Sequence, residues 1–189
     1  MTIWEEARLS VRGAIRVLRL DPDGIDDFNL TMSGYWRSFY AALFLLPLYL
    51  VYLQAVPIPK GVGVGRYWLI EAINYPLAWT LWPLFAFYVC ASAGVARRYT
   101  TYIIIHNWAQ VLLFGGQMLL VVLAYAVDPG GPGASLLVPV WIAVLAAETL
   151  IVRLALGVTW PQAILIEALS FVTALLLSLA KQFVMIGGG

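Results

Sequence analysis

Three ionisable side chains, His106, Glu148 and Glu167, lie inside long apolar stretches of this sequence. Such groups are costly in a bilayer and mark functional positions. His106 is six residues into the third stretch and Glu167 six into the fifth; Glu148 is eight from the end of the fourth. At the rise of an α-helix all three sit ~9–12 Å below one membrane surface. A histidine and two carboxylates at one depth could exchange protons or bind a cation. Arg153, nearer that surface, could snorkel or reach them, although on an ideal helix it points ~140° away from Glu148.

Two polar stripes accompany these groups. His106, Gln110 and Gln117 fall within ~40° of one another on a helix, and Glu167, Ser170, Ala174, Ser178 and Lys181 within ~80°. The first reading is interhelical glue, with small and amide side chains packing and hydrogen-bonding across helices. The alternative is a water-filled path along which Glu167, Glu148 and His106 pass protons or hold a cation. Glu71 and Asn74, near the outer end of the second stretch, read as interfacial or packing groups.

The elements that carry these residues are five apolar stretches, Phe39–Val56, Trp68–Gly94, Thr100–Val127, Ser135–Leu156 and Pro161–Ile186. A helical crossing needs ~20 predominantly apolar residues. The expected fold is therefore all-α: a polytopic membrane protein with five transmembrane helices (residues 39–189), preceded by a cytoplasmic amphipathic helix and an acidic linker (residues 1–38). Charged residues are 11% of the chain and hydrophobic ones 62%, far from the ~25% charged of soluble domains. Pro47, Pro76 and Pro83 fall inside the first two stretches, where each removes a backbone hydrogen bond and favours a kink. Gly157 can end the fourth helix, and Thr159-Trp160-Pro161-Gln162 has the form of a capping box.

Basic residues set the expected orientation. With the N-terminus inside, Arg8, Arg12, Arg16, Arg19, Arg37, Arg97, Arg98 and Arg153 are cytoplasmic, against Lys60, Arg66 and Lys181 outside. The loop Asp128–Ala134, without a basic residue, and the tail Gly187–Gly189 would then be exported. No cleavable signal peptide is visible, so the first crossing would act as an uncleaved insertion signal. The Asn29-Leu30-Thr31 sequon would lie in the cytoplasm and stay unglycosylated. Arginine-rich, lysine-poor composition suggests a GC-rich bacterium and hence an inner membrane.

Residues 2–20 have helical periodicity. Trp4, Ala7, Val11, Ala14, Ile15 and Leu18 share an arc of ~100°, with Arg8, Arg12, Arg16 and Arg19 on an adjacent one. Such a helix suits the headgroup plane, its arginines meeting anionic lipid; the alternative is docking on the protein's own cytoplasmic side. Asp21, Asp23, Asp26 and Asp27 do not have the spacing of a calcium loop and read as a solvated linker.

The remaining chemistry is defined by what is missing. A single histidine and a single cysteine, Cys90, give no zinc or haem ligand set. No P-loop, nucleophile elbow or paired intramembrane aspartates appear, so no enzyme, metal or cofactor is expected. Four spread arginines do not suggest nucleic-acid binding.

A cytoplasmic amphipathic start, five closely spaced helices over residues 39–186 and a short exported tail resemble the Yip family of membrane proteins, which has bacterial relatives. The likeness is one of topology: Asp26-Asp27-Phe28-Asn29-Leu30 does not match that family's Asp-Leu-Tyr-Gly-Pro-type motif, so no residue roles carry over. The expected function is a non-enzymatic membrane protein that organises or regulates protein partners, further copies of itself or lipid. The alternative is a small proton- or cation-coupled transport component built on the third to fifth crossings.

Overall fold

The computed structural model describes residues 2–128 and 138–187, and every regular element among them is helical. The helices are α1 (Ile3–Leu18), α2 (Met32–Ser38), α3 (Tyr40–Ala55), α4 (Val64–Ser92), α5 (Tyr99–Val127), α6 (Val138–Leu156) and α7 (Trp160–Ile186), with short 3-10 turns at Pro22–Asp27 and Ala96–Arg98. Four segments, not the expected five, are long and apolar enough to cross a membrane: Met32–Ala55, Ala96–Val127, Val138–Leu156 and Trp160–Ile186. Helix α4 covers the second expected crossing and has 29 residues. Its Trp, Tyr, Pro, Asn and charged residues dilute its hydropathy, although aromatic rings of this kind favour the headgroup level. The first crossing also begins earlier than Phe39, because α2 runs almost directly into α3. The loop 128–134 and the start of the fourth expected stretch lie mostly outside the described residues.

Helix α5 is the axis of the fold. Tyr102 through Ala109 are all buried, as in a helix covered on every side. Helices α3 and α6 pack along it, α7 packs on α6, and α4 packs on α7. Gly115 admits Leu45 of α3, whose Cδ2 would lie only 2.9 Å from a Cβ there. Helix α4 meets α3 and α5 mainly through long side chains: Tyr75 donates to the Ala42 carbonyl at 2.6 Å, Tyr99 to the Pro83 carbonyl at 3.0 Å, and Trp82 Nε1 to Tyr102 Oη at 2.8 Å. These aromatic struts hold α4 off α5, and the gap matters below. All three helical prolines are accommodated without ending their helices.

The turn between α6 and α7 forms as its sequence requires. Gly157 has φ +65°, a conformation that favours glycine, and the Arg98 guanidinium lies over it. Gln162 Oε1 accepts from the Thr159 N–H at 3.0 Å and its hydroxyl at 2.9 Å, and Pro161 occupies the first turn.

The N-terminal segment folds onto the bundle. Thr2 and Glu5 form a reciprocal capping box at the start of α1. The helix then packs on the Pro22–Asp27 turn, α5 and α6 through Glu6, Ser10, Gly13, Ala14 and Val17, with Gly13 against Gly24, Asp27 and Phe28. That face is rotated from the expected apolar arc: Trp4 is 70% exposed and, of the six residues named for the arc, only Ala14 is fully buried. Small side chains allow close helix approach, which decides the face more than hydrophobicity does. The acidic segment is likewise folded rather than a free linker. Pro22–Asp27 lies against α1, where Asp27 accepts from Arg12 Nε at 3.1 Å and Arg16 Nη1 at 3.2 Å, and Arg16 Nε donates to Asp21 at 2.7 Å. The guanidinium of Arg12, then that of Arg16, holds the Asp27 carboxyl below the usual aspartate range.

Candidate functional site

The depth match expected of His106 and Glu148 brings them into contact. His106 Nδ1 lies 3.1 Å from Glu148 Oε2, and Gln110 Nε2 donates to Glu148 Oε1 at 2.6 Å. Helix α5 supplies His106 and Gln110 from successive turns of one face, and α6 presents Glu148 opposite them. All three are buried or nearly so. Glu167, on the first turns of α7, is 6% exposed and lies within electrostatic reach of Glu148 and Tyr102. Its Oε2 is buried without a hydrogen-bond partner among the described residues. A buried carboxylate oxygen without a hydrogen-bond donor carries a large desolvation cost.

Arg153 does not join this cluster. Its guanidinium lies over the Trp160 ring, 4.7 Å from the centroid, a cation–π contact at the turn. The ~140° separation from Glu148 along α6 is respected. Gln117 is buried further along α5 with its Nε2 unpartnered, away from Glu148.

A cavity of about 280 Å³ occupies the gap between α4, α5 and α7. His106, Asn107 and Gln110 line it from α5, Asn74 from α4, and Ser170, Ser178 and Lys181 from α7. Four of the five residues in the polar stripe of α7 therefore face one space: Ser170, Ala174, Ser178 and Lys181. From Ser170 to Lys181 the cleft follows α7 for ~16 Å. Glu148 and Glu167 stand behind its wall and are not lining residues.

The second polar centre was not legible as one from the sequence. Lys181 Nζ lies 3.1 Å from Glu71 Oε1 and 3.4 Å from Oε2, and the Tyr49 hydroxyl donates to Glu71 Oε2 at 2.8 Å. Of the two readings of Glu71 the packing one fits: it is 4% exposed and links α3, α4 and α7. The available signal was depth. Glu71 lies in the first turns of α4 and Lys181 in the last turns of α7, and an acid in a long apolar stretch calls for a partner.

The four arginines of α1 separate into two kinds. Arg12 and Arg16 are engaged with Asp21 and Asp27, whereas Arg8 and Arg19 are exposed. Glu6, buried at 1% exposure, is held by Arg37 Nε at 2.9 Å and Asn29 Nδ2 at 3.2 Å, so a polar latch joins α1 to α2. No group of three or more histidine, cysteine or acidic side chains is placed to hold a metal ion among the described residues.

No protein-family model, curated protein or solved structure matches the chain, so its chemistry rests on this geometry.

Proposed function

We propose that this membrane protein is a small proton- or cation-coupled transport component whose working centre is the His106–Gln110–Glu148 cluster with Glu167. One observation carries the reading: His106 and Gln110 line a polar cleft while both contact the buried Glu148. Simple interhelical glue would be dry and fully paired; here a buried Glu167 oxygen lacks a partner and polar side chains face open space. Protons can pass between a carboxylate and an imidazole in hydrogen-bond contact. In proteoliposomes carrying an interior pH dye, an imposed potential should drive proton entry. Glu167→Gln, which keeps size and hydrogen bonding, should reduce that entry to the level of empty vesicles while the protein still inserts. Unchanged entry would return these residues to packing.

The reading includes five crossings, with α4 as the fifth, the N-terminus in the cytoplasm of a bacterial inner membrane and the C-terminus outside. Its supports are the 29-residue length of α4 and the excess of basic residues on the inner segments. Reporter fusions at residues 60, 131 and 189 should report the outside, and fusions at residue 96 the cytoplasm. A cytoplasmic report from residue 189 would remove α4 as a crossing.

A second reading, in which the cytoplasmic face organises lipid or partners, is favoured by the exposed side chains of Trp4, Met32 and Trp36, all above 60%, beside exposed Arg8 and Arg19. Aromatic and basic groups together suit an anionic headgroup surface. Native mass spectra of the protein from phosphatidylglycerol-containing membranes should show bound anionic lipid that falls in Arg8→Gln/Arg19→Gln. Equal retention would exclude these arginines as the lipid contact.

A further inference from the structure

Two acid–base contacts flank the cleft, each with its nitrogen-bearing side chain toward the space. At one end Lys181 lines the space while its partner Glu71 does not; at the other His106 lines it while Glu148 stands behind. The Tyr49 hydroxyl, which does not line the cleft, donates to Glu71, and the Gln110 amide, which does, donates to Glu148. No aspartate or glutamate lines the cleft among the described residues. The Lys181–Glu71 ion pair therefore has its positive end toward the space. The rest of the polar lining is amide and hydroxyl. Lys181 is also the least buried member of its pair, 27% exposed at the side chain against 5% for Glu71. An ammonium has three donors, so it can serve a second acceptor from the cleft without abandoning Glu71.

From this arrangement we infer that the cleft binds anions, with Lys181 as the recognising group. Its occupant is a small solute carrying a carboxylate- or phosphate-type group, its body against the Trp79, Trp82 and Phe114 walls. The volume of about 280 Å³ corresponds to ~9 water molecules, which bounds the part of the solute that enters. The inference rests on the transport reading only in supplying its substrate class; proton coupling by Glu167 would then accompany anion movement.

Trp79 and Trp82 make the test possible, because both line the cleft. Their contribution to quenching is isolated by comparing the protein with Trp79→Phe/Trp82→Phe, in nanodiscs of neutral phosphatidylcholine. Iodide and caesium are the paired anionic and cationic quenchers. The ammonium presented at the cleft, with Glu71 recessed behind it, should make iodide severalfold more effective than caesium at these two rings. Glu71→Gln/Lys181→Gln, which replaces the ion pair by a neutral amide pair and avoids stranding a buried acid, should bring the two quenchers to parity. Lys181→Arg should keep the preference. Caesium equal to or better than iodide in the unmodified protein, or a preference that survives the double replacement, would overturn the assignment. Addition of phosphatidylglycerol distinguishes the two sources of such an anion: loss of iodide quenching identifies a lipid headgroup as occupant, and unchanged quenching a water-borne solute. Glu167→Gln separates the readings. Lost proton entry with intact iodide preference supports both proposals; lost preference in the unmodified protein with intact proton entry sinks this one alone.

Discussion

Glu148→Leu is expected to abolish proton entry and also to cost the fold ~2 kcal/mol, whereas Glu148→Gln should abolish the first with little of the second. The carboxylate receives His106 Nδ1 on one oxygen and Gln110 Nε2 on the other. Leucine leaves both neighbours buried without that acceptor, and an unsatisfied polar group costs ~1–3 kcal/mol. Partners found elsewhere in a membrane interior reduce that figure, since hydrogen bonds there average only ~0.6 kcal/mol. Glutamine remains an acceptor through one atom, and a change of histidine tautomer or rotation of the Gln110 amide accommodates its NH2. What it cannot do is gain or lose a proton. Thermal unfolding in detergent together with vesicle proton entry separates the effects. A Glu148→Gln protein that conducts as before would show that the cluster serves packing alone.

How far this site could be read in advance depended on the kind of signal. Depth counting placed His106, Glu148 and Glu167 together because helical rise is nearly constant and a buried charge has few places to go. The angle along α6 correctly kept Arg153 apart from Glu148. The turn at Gly157 and Thr159 was legible because its signal is local. The pairing of Glu71 with Lys181 was missed, since it joins helices separated by more than a hundred residues and neither side chain has a sequence neighbour that betrays the other.

The errors share a cause: hydropathy weighs side chains one at a time. In α1 the apolar arc named Trp4 and Ile15, which stay exposed, and left out Ser10 and Gly13, which close packing buries. In α4 a long apolar stretch was counted as a crossing, but its Trp, Tyr, Pro and charged residues leave it outside the four segments apolar enough to span a membrane. The acidic run at Asp21–Asp27 looked solvated because its partners, Arg12 and Arg16, are on another element. The cleft itself has no sequence signature: it is space left where α4 is held away from α5.

Gly34→Ala should be the most disruptive single methyl addition in the N-terminal unit. A Cβ at Gly34 would lie 1.8 Å from the Asn29 carbonyl oxygen and 2.8 Å from both its carbonyl carbon and Cγ. The obstacle is backbone, so no rotamer change relieves it. Asn29 cannot retreat freely, because its Nδ2 donates to buried Glu6 and its Oδ1 accepts from the Thr31 hydroxyl at 2.7 Å. Displacing it removes one of the groups that offset the Glu6 charge and loosens the latch between α1 and α2. Overpacking of this kind costs ~1–3 kcal/mol, and loss of a buried charge's partner adds to it. Hydrogen exchange should accelerate across Ile3–Leu18 while Tyr102–Ala109, at the centre of α5, stays protected. Gly65→Ala is the control: nothing lies within 4 Å of its Cβ, and in the first turn of α4 alanine should be neutral or stabilise by up to ~1 kcal/mol. Undiminished protection of α1 in Gly34→Ala would mean that the latch is not what holds this helix on the bundle, leaving the packing of Gly13, Ala14 and Val17 to do so.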